Sequence, residues 1–241
     1  MSNELQTLEQ KKQALLERQA EASAAMRSGG SYISFKNAQL KVDGMPVPNN
    51  TADVRVLAAV AERAWYEGPF DSDVAQVPSC YALDSDVPHD EAQNPQSDAC
   101  MTCDKNKWGS APPRAGATVE KIVDGKVVKV PAPNGKGKAC REGARVIVVP
   151  ANVPLKSAPM YTAKIPVTSI GTVQAFSSRC AQAGKLTGEF VAALSVTEDA
   201  KSFFKVHLTM KEVTNDMDMG LLMARQDEAY QLAVQPYPVF D

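Results

Sequence analysis

The sequence predicts an α+β, mainly β fold: a small five-stranded Greek-key barrel interrupted by one long insertion and flanked by N- and C-terminal helices. Three observations predict it. Short alternating or apolar runs recur at 32–42, 145–149, 160–167, 189–196 and 202–210, and such runs read as strands. One helical stretch, 168–183, falls between the third and fourth of these runs. Residues 67–140 are instead rich in Pro, Asp, Asn, Gly and Ser and have little periodicity. The 241 residues, 44% of them hydrophobic, suffice for one large domain or two small ones.

Taken in order, residues 1–27 contain good helix formers and no Gly or Pro, with a partial apolar stripe of Leu5, Leu8, Leu15 and Met26. They predict a helical arm over 1–30, ended by Ser28-Gly29-Gly30. Tyr32–Val42 reads as a strand, and Asp43-Gly44 as a turn. Residues 53–66 fit either state: Val54-Arg55-Val56-Leu57 favours a strand, and Ala58–Ala64 a helix. Thr118–Val130 reads as a hairpin around Asp124-Gly125. Arg145–Val149, RVIVV, reads as a buried strand. Thr168 or Ser169 could cap the 168–183 helix and Gly184 end it. Residues 217–233 make a last helix. The divisions are an arm over 1–30, a core over 31–211 with the insertion over about 67–140, and an acidic C-terminal helix and tail over 212–241. About five strands with one interposed helix match the OB type of barrel.

Charge is unevenly placed although the net is only -2. Residues 67–98 hold eight acids and no Lys or Arg, whereas 104–145 hold ten bases and four acids. Residues 212–241 return to six acids against one base, Arg225. A basic middle between acidic arms is either solvated surface or a site for an acidic partner. No apolar run approaches a membrane span. The first residues lack the apolar core of a secretory signal, which predicts a reducing cytoplasm. There, five cysteines point to metal or catalysis rather than disulfides.

Four of the cysteines fall in or beside the insertion as Cys80-x19-Cys100-x2-Cys103-x36-Cys140. A Cys-x-x-Cys turn puts two thiolates on one side of a tight loop, as tetrahedral zinc requires. The insertion has too little apolar surface to order itself, and structural zinc supplies on the order of 10 kcal/mol. The alternatives are a redox pair and unliganded thiols. The redox reading needs a strand-helix context, but Lys105-Asn106-Lys107-Trp108-Gly109 is turn-like. His89 is the rival fourth ligand. Four protein ligands leave no open position, so the zinc would be structural. Cys180 lies apart, as a packed thiol in the 168–183 helix.

Zinc at these cysteines would join Lys105, Lys107 and Trp108 to Lys136, Lys138, Arg141 and Arg145. Cations pair with phosphates and aromatic faces stack on unstacked bases, which suits a single nucleic-acid strand. Alternation places Phe204, Val206, Leu208 and Met210 toward the core, and Phe203, Lys205, His207 and Thr209 on the opposite face. Tyr66 and Phe70, at the mouth of the insertion, are further candidates for stacking, with Trp65 as an anchor in the core. Against this, Trp108 could pack over the cysteine loop, and a terminal helix could cover Phe203.

The chain resembles the zinc-containing single-stranded DNA-binding proteins of tailed bacteriophages. The resemblance spans about 32–210. It is carried by Tyr32–Lys36 (YISFK), Ala64–Phe70 (AWYEGPF), Pro78–Leu83 (PSCYAL), Cys100–Cys103 (CMTC), Asn106–Ala111 (NKWGSA) and Gly135–Cys140 (GKGKAC). It implies an OB-fold with a zinc-stabilised insertion that protects single-stranded DNA during phage replication or recombination. The setting would be the cytoplasm of the infected bacterial cell. In plan it is also similar to the helix-destabilising type of T-even phages. That type uses a histidine ligand and a different spacing, which leaves the role of His89 open. The segment 112–132 is an addition to the pattern. The partners implied are single-stranded DNA and, through the acidic C-terminal region, phage replication or recombination proteins, with no membrane. The apolar residues among those acids equally suit a packed amphipathic helix.

A competing class is a zinc-clipped structural or adaptor protein that contacts other proteins without nucleic acid. A hydrolase is the third class. Its two histidines, His89 and His207, lie far apart in sequence. Gly135-Lys136-Gly137-Lys138 lacks the spacing of a phosphate-binding loop, and no nucleophile-base pair is evident. The chain is therefore read as a non-enzymatic binder.

Overall fold

The computed structural model describes residues 31–68, 76–113, 116–123, 126–214 and 216–237. The predicted arm over 1–30, residue Phe70 and the Asp124-Gly125 turn lie outside these residues. The strands are β1 (Tyr32–Ser34), β2 (Lys41–Val42), β3 (Met45–Pro46), β4 (Thr51–Trp65), β5 (Cys80–Leu83), β6 (Thr118–Val123), β7 (Lys126–Pro131), β8 (Arg141–Pro150), β9 (Tyr161–Pro166), β10 (Phe190–Asp199) and β11 (Phe203–Val213). The helices are α1 (Ile170–Gln182) and α2 (Met219–Ala233). The fold is mainly β, with a sheet curled into a half-barrel. Its strand order is β11-β10-β4-β8-β9-β1-β2-β3, with β5 also on β4. The β6–β7 hairpin forms a separate two-stranded ribbon.

β4 is the spine of the sheet. β8 runs along one side from Val54 to Ala64. On the other side β10 pairs with 51–54 and β5 with 62–65. This explains why residues 53–66 form a strand despite their alanines. A helix preference of a few tenths of a kcal/mol per residue yields to ladders on both edges. β8 reads as a continuous apolar run because it is buried on both faces. Val146 and Val148 face the inside of the curl with Val54, Val56, Phe176 and Leu194. Ile147 and Val149 face outward with Leu57, Val60 and Leu222 under α2.

The predicted first strand is divided. A turn at Lys36–Ala38, with Asn37 at φ 57°, separates β1 from β2. Asp43 and Gly44 both have positive φ, the geometry of a primed hairpin turn. In α1, Ser169 occupies the cap position, but its hydroxyl is used elsewhere. It accepts from Val206 N at 2.9 Å, and Thr172 Oγ1 accepts from Leu208 N at 2.8 Å. The first turn of α1 thereby satisfies donors on the outer edge of β11. Gly184, at φ +66°, ends the helix, with Lys185 N donating to Cys180 O at 3.1 Å. Cys180 is buried in the core, as its place in the helix predicts.

α2 starts at Asp218, whose carboxylate accepts from Leu221 N at 3.0 Å. It buries Leu222, Ala229 and Ala233 against the outer face of the sheet. Half of the acidic C-terminal stretch is thus a helix packed on the sheet. Among the described residues, no helix is long and apolar enough to cross a membrane.

Candidate nucleic-acid interface

The insertion is tied down by backbone bonds and by a small apolar cluster in which Tyr81, Leu83 and Ala92 pack on Ala64. β5 attaches it to the end of β4, with Cys80 opposite Trp65. At the Cys-x-x-Cys turn, Cys103 N donates to Cys100 O at 3.4 Å, and Asn106 Nδ2 donates to the same oxygen at 2.9 Å. Cys140 N donates to Lys105 O at 2.8 Å, and Gly109 N and Ala111 N both donate to Gly137 O. Gly135 passes so close to Pro112 that a Cβ would sit 2.6 Å from its carbonyl oxygen. The Lys105–Ala111 and Gly135–Cys140 stretches, far apart in sequence, are thus stitched side by side.

Cys80, Cys100, Cys103 and Cys140 line one cavity of about 10 Å³, walled also by Arg63, Trp65, Lys105 and Asn106. That is room for a single atom-sized occupant. All four are free thiols, with Cys100 and Cys103 buried. Burial, then the neighbouring Cys100, Cys103 and Cys80, push the Cys140 thiol up to about 12, and Arg63 opposes this. Burial likewise raises the Cys100 thiol, against the pull of Arg63. Zinc bonds of about 2.3 Å need sulfurs roughly 3.8 Å apart. As they stand, no group of three or more His, Cys, Asp or Glu among the described residues has a metal-holding arrangement. The donor chemistry and the shared cavity fit zinc; the spacing requires the thiols to draw inward. His89 does not line the cavity. Its ring stacks on Tyr81 at 5.1 Å, and its Nδ1 accepts from Glu91 N at 3.1 Å.

Beside the cysteines, a groove of about 520 Å³ is lined by the ends of β4, β8 and β9 together with Trp108, Phe204 and Tyr237. Tyr66, Trp108, Phe204 and Tyr237 contribute rings to it, and Lys138, Arg141 and Lys164 contribute cations. Gly143 lies in its floor, where a Cβ would meet Ile165 O at 2.8 Å. Three of the rings are paired with cations. Lys138 Nζ lies 5.8 Å from the Trp108 ring, the Arg141 guanidinium 5.4 Å from Tyr66, and Lys164 Nζ 4.1 Å from Tyr237. Under the groove, Glu62 is buried and faces Arg145 at 3.6 Å and Lys164 at 3.4 Å. It also accepts from the Tyr237 hydroxyl. Burial lowers the Lys164 ammonium and raises the Tyr66 and Tyr237 phenols, while Glu62 holds the lysine up.

The predicted residues divide into three sets. Tyr66, Trp108, Lys138 and Arg141 meet in the groove. Trp108 is 79% exposed and Phe203 81% exposed, so neither is covered. Phe203 has φ +68°, strained for a bulky residue, and adjoins groove-lining Phe204. Lys136, Lys107 and Lys205 are exposed on the surface. Lys107 pairs with Asp104 at 2.6 Å, and Lys205 with Asp199 at 3.3 Å. Arg145 and Lys105 do not present free charge. Arg145 is 6% exposed and donates to Ala233 O and Gln235 O behind α2. Lys105 lies over the half-buried Trp65 ring at 4.7 Å.

Sequence reasoning missed Lys164 and Tyr237, which complete the groove, and assigned Phe204 to the core alone. The alternation of β9 was a usable signal for Lys164. Tyr237 follows the last helix and had no local signal. No family model, curated protein or solved structure matches the chain.

Proposed function

We propose that the chain is a non-enzymatic single-stranded DNA-binding protein, built on an OB-type barrel whose insertion is stabilised by structural zinc. The observation that carries this reading is the groove, in which aromatic rings and cations meet beside the curled sheet. A base can stack on a ring while Arg141 meets a phosphate, with Lys138 and Lys164, which pair with Glu142 and Glu62, as further cations. Exposed Phe203, next to Phe204, extends the stacking surface beyond the groove itself. The barrel assignment is supported by the order β11-β10-β4-β8-β9. With α1 between β9 and β10, that order is compatible with five OB strands and one interposed helix, which supports the reading.

Cys80, Cys100, Cys103 and Cys140 would hold the zinc, which supplies folding energy to the insertion and no chemistry. The residues around it set Trp108 and Lys138 at the groove rim. The resemblance to phage proteins suggests coating of single strands in replication and recombination.

The test is an anisotropy titration of a labelled oligo-dT across a salt series, with zinc and after chelation. Binding should weaken linearly in log salt, with a slope of about −0.7 per phosphate neutralised. Chelation should weaken it further. Absence of binding at low salt in zinc-loaded protein refutes the proposal. An adaptor role has one observation in its favour. Ile122 and Val127 are exposed on the β6–β7 ribbon, and a two-stranded ribbon is marginal by itself. Protein capture that survives nuclease treatment, without oligonucleotide binding, would select that role.

A further inference from the structure

Four thiolates on one divalent ion leave two negative charges in a cavity where Cys100 and Cys103 are buried and Cys80 and Cys140 half-buried. An uncompensated buried charge is costly, so such a centre needs a cation or hydrogen-bond donors in its wall. The cavity wall holds two cations, Arg63 and Lys105. The Lys105 ammonium is directed onto the Trp65 ring. Arg63 differs. It projects from β4 between β5 and β8, opposite Ala82 on one side and Glu142 on the other. One guanidinium nitrogen is committed: Nη1 donates to Asp86 Oδ1 at 2.7 Å and to Ser85 O at 3.0 Å. Its Nε is buried with no hydrogen-bond partner. A buried donor without a partner is unusual and calls for an explanation.

We propose that Arg63 is the counter-cation of the four-cysteine centre, neutralising part of its charge and offering its free Nε–H to a metal-bound thiolate. This rests on the zinc reading above. The Asp86 contact holds the guanidinium in place but also drains its charge.

The experiment measures zinc retention by competition with a chromophoric chelator, and the sulfur-to-metal charge-transfer band of the cobalt-loaded protein. Arg63→Met, which keeps the bulk and loses the charge, should weaken zinc affinity about 10- to 100-fold and shift the cobalt band. Arg63→Lys should recover most of the affinity. Asp86→Asn frees the guanidinium and should leave affinity unchanged or increase it. A merely structural role predicts the opposite pattern, with Asp86→Asn as weak as Arg63→Met and no rescue by lysine. That pattern overturns the inference, as does wild-type retention in Arg63→Met. If wild-type protein takes up neither metal, the zinc reading fails and this inference fails with it.

Discussion

Replacing Trp108 by alanine separates a stacking residue from a packing residue. The indole is 79% exposed and is absent from the buried clusters, so its loss opens no cavity. Stability should change by no more than about 0.5 kcal/mol, as for exposed positions generally. The one cation over its ring, Lys138, keeps other contacts: Glu142 at 2.9 Å and Asn106 at 3.0 Å. The charge therefore stays at the groove rim. What disappears is one stacking platform, worth about 1–3 kcal/mol per base, or about 5- to 150-fold in affinity. Anisotropy with labelled oligo-dT, at several salt concentrations, reads both quantities. The expected result is a weaker Kd at every salt concentration with an unchanged slope, and a melting temperature within about 2 °C of wild type. An unchanged Kd in a folded variant refutes the stacking role. A melting temperature lowered by many degrees refutes the exposure argument.

Three further outcomes follow from the same structure. Cys103→Ser should lose most bound zinc and loosen the 80–140 insertion while β4 and β8 stay formed; metal analysis with hydrogen exchange checks this, and full metal content in the variant contradicts it. Glu62→Ala leaves Arg145 buried without its carboxylate and should cost about 3–5 kcal/mol, or about 6–20 °C in melting temperature. Tyr237→Phe removes a hydroxyl that donates to Glu62 and accepts from Lys164 at 2.7 Å, and should cost about 1–2 kcal/mol; equal losses in the two variants would argue against a buried ion pair. In metal-free protein, the Cys140 thiol is raised from 9.0 to about 12. A raised value contributes stability that is complete below the ordinary thiol range and lost as pH climbs through 9 toward 12. Thermal melts in chelator at pH 7 and 10.5 should show that loss, reduced in Cys140→Ser; a flat profile would remove the case for a desolvated Cys140 thiol.

Local patterns were legible wherever one interaction dominates. Alternation located β11 and its inward residues because burial on one face selects every second side chain. The RVIVV run located β8 because α2 and the curl interior cover both of its faces. β4 was not legible. Its alanines favour a helix in isolation, and only three neighbouring strands, all distant in sequence, settle it as a strand. The site follows the same division. The cysteine spacing pointed to one cluster; the four cysteines line one cavity, and among the described residues no metal-holding group forms. Arg145 read as a free cation, because sequence does not reveal that the segment after α2 lies over it. The same tail brings Tyr237 to the groove, so one long-range contact withdrew a predicted residue and supplied an unpredicted one. A binding surface assembled by such contacts is read least well where its parts come from opposite ends of the chain. Lys164 and Tyr237 are therefore the positions where mutation tests the groove most independently of the sequence motifs.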